Sequence, residues 1–276
     1  MIQARFIARP LQASLAAQPF CGVVMSRFAR AATLIETGSD PGGQLIALTL
    51  PSLGNGPFSI VLDAPPDWFA QLVLQQPAQV DAEWLTLGSW RIPLQQAECW
   101  EPTLPVVPLA FYQTPWLPPL LQPYAAWPPR VVTTNAILHH MAQHLAQGAQ
   151  ALQQALISGR ELAPAVSQLA GLGSGLTPAG DDYLLGVMVA LWLLRRRTGL
   201  ATMAQVAAPR TTQLSAAFLS AAAQGQLMES WHSLSTALAQ GNRAACAAAL
   251  TTLAAFGASS GRDALAGFAQ TVLKAV

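Results

Sequence analysis

Two textures in one chain predict an α+β protein, with a β-rich N-terminal domain followed by a compact all-helical C-terminal domain. Three observations carry that expectation. Short apolar or alternating runs, separated by turn-forming residues, fill residues 1–100. Nine of the 21 prolines crowd into residues 102–129. Alanine-rich stretches with apolar residues near a 3.6-residue period run from about residue 130 to the end. The first domain is set at residues 1–125, with the proline-rich crossing segment at its end, and the helical domain at 126–276.

In chain order, "QLIALTL" (44–50), "FSIVLD" (58–63) and "WLTLGSWRIPL" (84–94) read as strands. "GSDPGG", "PSLGNGP" and "DAPPD" separate them with turn chemistry. "PPDWFAQLVLQQ" reads as a helix entered at Pro65 and Pro66. The proline-rich stretch admits neither a long helix nor a central strand. It reads as an extended crossing, packed down through Trp116, Tyr124 and Trp127. "TTNAILHHMAQHLAQGAQALQQALISG" places Ile137, Leu138, Met141, Leu145, Leu152 and Leu156 on one helical face.

"YLLGVMVALWLL" (183–194) is the most apolar segment, in a chain whose mean hydropathy is +0.36. Its twelve residues cover roughly 18 Å as a helix, against about 30 Å of bilayer hydrocarbon. It therefore reads as a buried core helix, ended by Arg195, Arg196 and Arg197, where positive charge suits the dipole. No membrane partner is expected.

Bulk composition narrows the function classes. With 52% hydrophobic residues in 276, the chain can build a large core and does not resemble a disordered one. A formal net charge of +1 without a basic stripe gives a nucleic-acid partner no electrostatic support. Cys21, Cys99 and Cys246 are far apart, form no CxxC pair and suit a reducing compartment. Arg9 and Pro10 stand where a signal peptide would need apolar residues, so secretion is not expected.

The stretch "GLGSGLTPAGDDYLLG" (171–186) concentrates the chemistry. Gly171, Gly173 and Gly175 let backbone approach a ligand closely. Thr177 and Pro178 read as the cap and first residue of the helix that follows, whose free N–H groups attract anions. The pattern has an echo. "GDDYLLG" (180–186) and "GRDALAG" (261–267) both read G-x-D-x-L-x-G, each preceded by hydroxyl residues, Thr177 in one and Ser259 and Ser260 in the other. In a helix Asp182 and Gly186 share a face, as do Asp263 and Gly267. The two helix starts are therefore expected to converge on one pocket, with Asp182 and Asp263 across it.

A carboxylate repels a phosphate. Asp181, Asp182 and Asp263 are thus expected to accept hydrogen bonds from an amide NH2, to hold a magnesium ion that meets the phosphate, or to orient the glycine loop. The alternative is structural, each aspartate capping its helix and each glycine allowing a close crossing. Arg262 is the one cation inside either motif and suits an anionic substrate. His140 and His144 have metal-ligand spacing on a helix, but two ligands are too few for zinc. His232 with Glu229 reads as a surface pair.

On "GLGSGLTPAGDDYLLG", "AAAQGQ" (221–226), "FGASSGRDALAGF" (256–268) and the weaker "LGNGPFSIVL" (53–62), the chain resembles the AllH family. The resemblance implies a subunit of oxamate carbamoyltransferase. That enzyme interconverts oxalurate plus phosphate with oxamate plus carbamoyl phosphate in anaerobic allantoin and purine breakdown. It implies a cytoplasmic bacterial protein whose partners resemble an acyl-CoA-synthetase-like subunit and a second carbamoyltransferase subunit. Carried onto this chain, the anionic part of the substrate meets Gly171, Gly173, Ser174, Gly175 and Thr177, with Ser260 and Arg262 from the echo and Asn55 and Gly56 from the N-terminal turn. Asp181, Asp182 and Asp263 take the catalytic positions. Two other functions stay open: a non-catalytic assembly subunit, and a phosphate- or nucleotide-binding enzyme of another substrate. The latter lacks GK[ST] after its glycines.

Overall fold

The computed structural model describes residues 2–38, 43–65, 67–128 and 136–275. By internal contacts the chain divides into one unit of Met1–Thr103 with Leu227–Glu229, and a second of Leu104–Gln226 with Ser230–Val276. The first is β-rich and the second all-helical, so the fold is α+β.

Nine strands among the described residues form the first unit's sheet. They are β1 (Gln3–Ala8), β2 (Phe20–Arg27), β3 (Ala31–Glu36), β4 (Leu45–Thr49), β5 (Ser59–Asp63), β6 (Pro77–Val80), β7 (Trp84–Leu87), β8 (Trp90–Pro93) and β9 (Glu98–Trp100). Their order is β8-β7-β6-β2-β3-β4-β5-β1-β9. Neighbours run antiparallel except β4 with β5 and β1 with β9. The runs at 44–50 and 58–63 are β4 and β5, and 84–94 is the β7–β8 hairpin, turned at Gly88 with φ 59°. Helix α1 (Arg9–Ala17) starts with Pro10 in its first turn, as proline's missing N–H allows, and buries Leu11 and Leu15. Leu34, Ile46, Leu48, Ile60, Leu62, Trp68 and Phe69 fill the core beside the sheet.

One predicted element is corrected. Residues 65–76 are not a helix; only Phe69–Gln71 makes a short 3-10 turn, and Pro66 lies outside the described residues. The Arg27 guanidinium donates to the Ala70 carbonyl and, at 2.8 Å, to the Leu72 carbonyl. These are acceptors that a continuing helix would need for its own N–H groups. Trp68, Phe69 and Leu72 are buried, and the chain then turns through Gln75 at φ 65° to pair β6 with β2. The turn run "GSDPGG" falls largely on residues 39–42, outside the described set.

The second unit contains α2 (Leu117–Ala125), α3 (Ala136–Ser158), α4 (Ala163–Leu169), α5 (Ala179–Leu193), α6 (Leu200–Ala207), α7 (Gln213–Ala223), α8 (Glu229–Ala239, whose first residue belongs to the first unit), α9 (Arg243–Ala254) and α10 (Ser260–Leu273). The proline-rich stretch is not extended throughout. It makes a 3-10 turn at Leu109–Gln113 and then α2, which starts beside Pro118 and packs on α10 through an apolar face including Leu117 and Leu121. Apart from Ala179, Leu185 and Trp192, every residue of α5 is buried, as expected for a helix apolar on all sides. The arginines follow its end as the charge pattern indicates. Arg196 N–H closes onto the Leu191 carbonyl, and the Arg197 guanidinium lies 3.9 Å from the Trp192 ring centroid.

Helices α5 and α10 form the centre of this unit. A Cβ built on Gly186 would stand 1.7 Å from the Ala264 carbonyl oxygen, and one on Gly267 would stand 2.1 Å from the Tyr183 carbonyl oxygen. Tyr183 occupies in the first motif the place of Ala264 in the second. Each glycine therefore receives the backbone that the other helix presents at the equivalent position, which is the reciprocity of a local two-fold. Gly180 and Gly261 repeat the relation one level down, against the carbonyls of Leu169 and Leu253. The repeated motif is thus two helix-loop-helix pairs, α4–α5 and α9–α10, crossed face to face. Leu184 and Leu265 are fully buried at this crossing.

Candidate functional site

The loop between α4 and α5 and the first turns of α5 and α10 meet at one end of this crossing. Gly171, Gly173 and Gly175 all have positive φ, at 73°, 136° and 90°. The backbone N–H groups of Gly173, Ser174, Gly175, Leu176 and Thr177 have no partner among the described residues. Five consecutive donors without a partner among the described residues, ending at a helix N-terminus, are an arrangement that suits an anion.

Helix α5 starts one residue later than the cap pattern suggests. Pro178 is extended (φ −55°, ψ 144°) and acts as the cap residue, its carbonyl accepting from the N–H of Asp181 and Asp182. Thr177 is left outside the helix, and its hydroxyl lies 2.9 Å from that of Ser260 at the start of α10. That contact ties the two repeats together at the loop.

The three aspartates separate by environment. Asp181 takes the Gly171 N–H at 2.9 Å on Oδ1 and the Thr211 hydroxyl on Oδ2. Both oxygens are occupied, so it braces the root of the loop, and Gly171 has no N–H left for a ligand. Asp182 and Asp263 each keep a buried Oδ2 without a partner, in residues 9% and 5% exposed. The Trp127 indole N–H donates to Asp263 Oδ1 at 2.6 Å. Trp127 in turn stacks on Tyr183 with ring centroids 4.4 Å apart. Tyr183 donates to Gln270 at 2.7 Å and accepts from Gln153, which also donates to Thr271. A buried polar relay among α3, α5 and α10 thus holds the platform behind the indole.

Burial pushes the Asp182 carboxyl up to about 8; the Ser260 and Thr177 hydroxyls oppose this, and the neighbouring Asp263 charge adds to it. Burial also raises Asp263, against the indole and Ser259, and Asp181, against Thr211, Gly171 and Ser215. Among the described residues no cation contributes to any of the three. Burial and the neighbouring Asp263 charge both favour the protonated form of Asp182, because like-charged carboxyls away from water ionise together only at a cost.

That imbalance has a sign that stability measurements can read. Below about pH 4 Asp182 is protonated in both folded and unfolded chains and costs nothing. As pH rises toward 8, the unfolded chain releases the proton while the folded one retains it, so stability falls and then levels off. Asp182→Asn cannot ionise. Its melting temperature should exceed the wild type's by about 5 °C or more at pH 9, at roughly 2–4 °C per kcal/mol. The gap should shrink steadily toward pH 4, and a gap independent of pH would contradict the burial argument.

The remaining candidates lie apart from this pair. Arg262 is exposed, one residue before Asp263. Asn55 and Gly56 belong to the first unit, where their donors are used. The Asn55 N–H and side-chain NH2 both reach Glu229 Oε2 at 2.9 Å, and Gly56 N–H reaches Ser59 Oγ at 2.8 Å. This closes the tight parallel connection between β4 and β5. His140 and His144 bring their Nε2 atoms within 2.8 Å on an exposed face of α3. Among the described residues no group of three or more His, Cys, Asp or Glu is placed to hold a metal, and no helix is long and apolar enough to cross a membrane.

Trp127 and Thr211 have roles here that motif reading missed. Both sit outside the repeated motif, in "AAWPPR" and "APRTTQ", and nothing in their spacing points at an aspartate.

Residues 169–272 match the family model described as oxamate carbamoyltransferase subunit AllH. Residues 2–99 match that of the AllH family N-terminal domain. The first span contains the loop, both repeated motifs and Thr211. No curated protein and no solved structure matches the chain.

Proposed function

The chain belongs to the AllH family, and on that premise we propose that it carries the carbamoyl-handling site of an oxamate carbamoyltransferase. The reaction is oxalurate plus phosphate to oxamate plus carbamoyl phosphate. A phosphate oxygen bonds to the carbamoyl carbon, the bond from that carbon to the oxamate nitrogen breaks, and the proton from phosphate ends on that nitrogen. The residues suit a division of labour. The free N–H groups of 173–177 receive the phosphate, whose charge the positive end of α5 favours. Asp182 and Asp263 receive the carbamoyl end, away from the anion they would repel. Asp181 and Thr211 hold the loop in shape.

The observation that carries this reading is the adjacency of a run of unused donors and two buried, unpartnered carboxyl oxygens in the family-matched segment. Preorganised polar groups of this kind stabilise developing charge without reorganising. The protein partners are a subunit resembling acyl-CoA synthetases and a second carbamoyltransferase subunit, and the site is that of a bacterial cytoplasmic enzyme of purine breakdown.

The test is the loop. In the complex assembled with both partner subunits, Gly173→Ala puts a methyl group 2.5 Å from the Ala179 nitrogen and strains a φ of 136°. The KM for phosphate in oxalurate phosphorolysis should rise at least about tenfold, with assembly intact. An unchanged phosphate KM would move the anion site to another chain.

A further inference from the structure

Asp182 and Asp263 are equivalent in the repeat but not in their surroundings, and the difference assigns them opposite hydrogen-bonding roles. Asp263 receives the Trp127 indole N–H on Oδ1, a bond that favours the ionised carboxylate and fixes its rotation. Its Oδ2 is then a pure acceptor with no partner among the described residues. Asp182 has no such N–H donor; its neighbours are the Ser260 and Thr177 hydroxyls, which also bond to each other. Its Oδ2 is likewise buried and unpartnered. Among the described residues no cation offsets the charge of either buried carboxyl, so ionising both is costly, and the indole N–H favours Asp263 as the ionised one. Asp182 is left as an O–H donor.

Resting on the carbamoyl-site reading above, we propose that Trp127, Asp263 and Asp182 form an asymmetric dyad that selects a neutral primary carboxamide over a carboxylate. One donor beside one acceptor matches the C=O and NH2 edge of a –CONH2 group. Asp182 donates to the amide oxygen, and Asp263 accepts from the amide nitrogen. A –COO− group meets the same edge as two acceptors and a negative charge, so one contact turns repulsive in a buried setting, where unpaired polar atoms cost most. Trp127 is a positioning residue: it touches no ligand and keeps the Asp263 acceptor turned toward the amide nitrogen.

The probes are oxamate and oxalate, which differ only in –CONH2 against –COO−, the oxamate –CONH2 standing in for the terminal carbamoyl group of oxalurate, titrated into the intact chain at pH 7. The wild type should bind oxamate at least about tenfold more tightly than oxalate. Asp182→Asn still offers an N–H donor and should keep oxamate affinity within about threefold. In Asp263→Asn the side-chain oxygen stays on the indole and the NH2 turns toward the substrate NH2, so oxamate affinity should fall at least about tenfold. Trp127→Phe should narrow the oxamate preference while the melting profile stays cooperative. Equal or reversed preference in the wild type, no binding of either probe by the folded chain, or indifference to Asp263→Asn overturns the proposal. So does a preference that disappears with a chelator and returns with magnesium, which would put a metal where the proton is placed. Transferase activity in the complex without amide selectivity would sink the dyad and leave the catalytic reading standing. Selectivity without any contribution to transfer would do the reverse.

Discussion

Gly186→Ala should destabilise the helical unit by at least about 3 kcal/mol, the upper end of overpacking costs, and lower its melting temperature by roughly 6–12 °C. The added methyl would stand 1.7 Å from the Ala264 carbonyl oxygen and 2.9 Å from the Phe268 nitrogen. These are backbone atoms, so no side-chain rotation relieves the clash. The helices must separate, and the close packing around Leu184, Val187, Leu265 and Phe268, all fully buried, loosens with them. Gly267→Ala attacks the same crossing from the other side, 2.1 Å from the Tyr183 oxygen, and should cost about as much. Because one separation relieves both clashes, the double variant should lose clearly less than the sum of the singles. Circular dichroism melts of the three variants measure this. Melting temperatures within 2 °C of wild type, or strict additivity, would count against the reciprocal crossing.

Asp182→Asn should reduce oxalurate phosphorolysis by the assembled complex by about 10² or more, the scale of losing one preorganised polar contact in a transition state. The change nearly preserves shape and keeps a donor toward the carbamoyl oxygen, so KM should move little and kcat carry the loss. What disappears is a proton that Asp182 can give and take back near neutral pH, since burial holds its carboxyl at about 8. The same variant is expected to be more stable than the wild type in alkali. Lower activity with higher stability is the mark of a group retained for chemistry at the expense of the fold. Near-normal turnover by a folded, assembled variant would reduce Asp182 to a structural group and leave this chain an assembly subunit.

Stability and the proposed chemistry therefore share the same two helices. The glycines bring α5 and α10 into contact, and that contact sets two carboxyls near each other where water is scarce. Loosening the crossing at Gly186 would admit water around Asp182 and relax its raised pKa, so the two substitutions are not independent probes.

Much of this was legible in the sequence. The period-2 runs before residue 100 and the 3.6-period runs after 130 are local signals, set by which face of each element must be apolar, and they mark β4, β5, β7, β8, α3 and α5 before any contact is known. The repeated G-x-D-x-L-x-G is also local. Glycine four residues after aspartate marks a helix face that another backbone can approach, and the close crossing at Gly186 and Gly267 follows from that. The segment at 65–76 shows where local reading ends. Its apolar residues suit a helix, but Arg27, some 40 residues earlier in the chain, takes the carbonyls at Ala70 and Leu72, and β6 draws the chain back to β2. Likewise, nothing local distinguishes three aspartates of one residue type. Tertiary structure decided that Asp181 is spent on Gly171 and Thr211, that the Trp127 indole donates to Asp263, and that Asp182 lies where burial raises its carboxyl most strongly toward neutrality. A carboxyl's charge depends on the donors and water around it, and those donors come from residues 10 to 136 positions away. Sequence by itself marked the apolar faces, of which Ile137 and Leu138 in α3 stay exposed; only the folded chain determined what each inward residue faces.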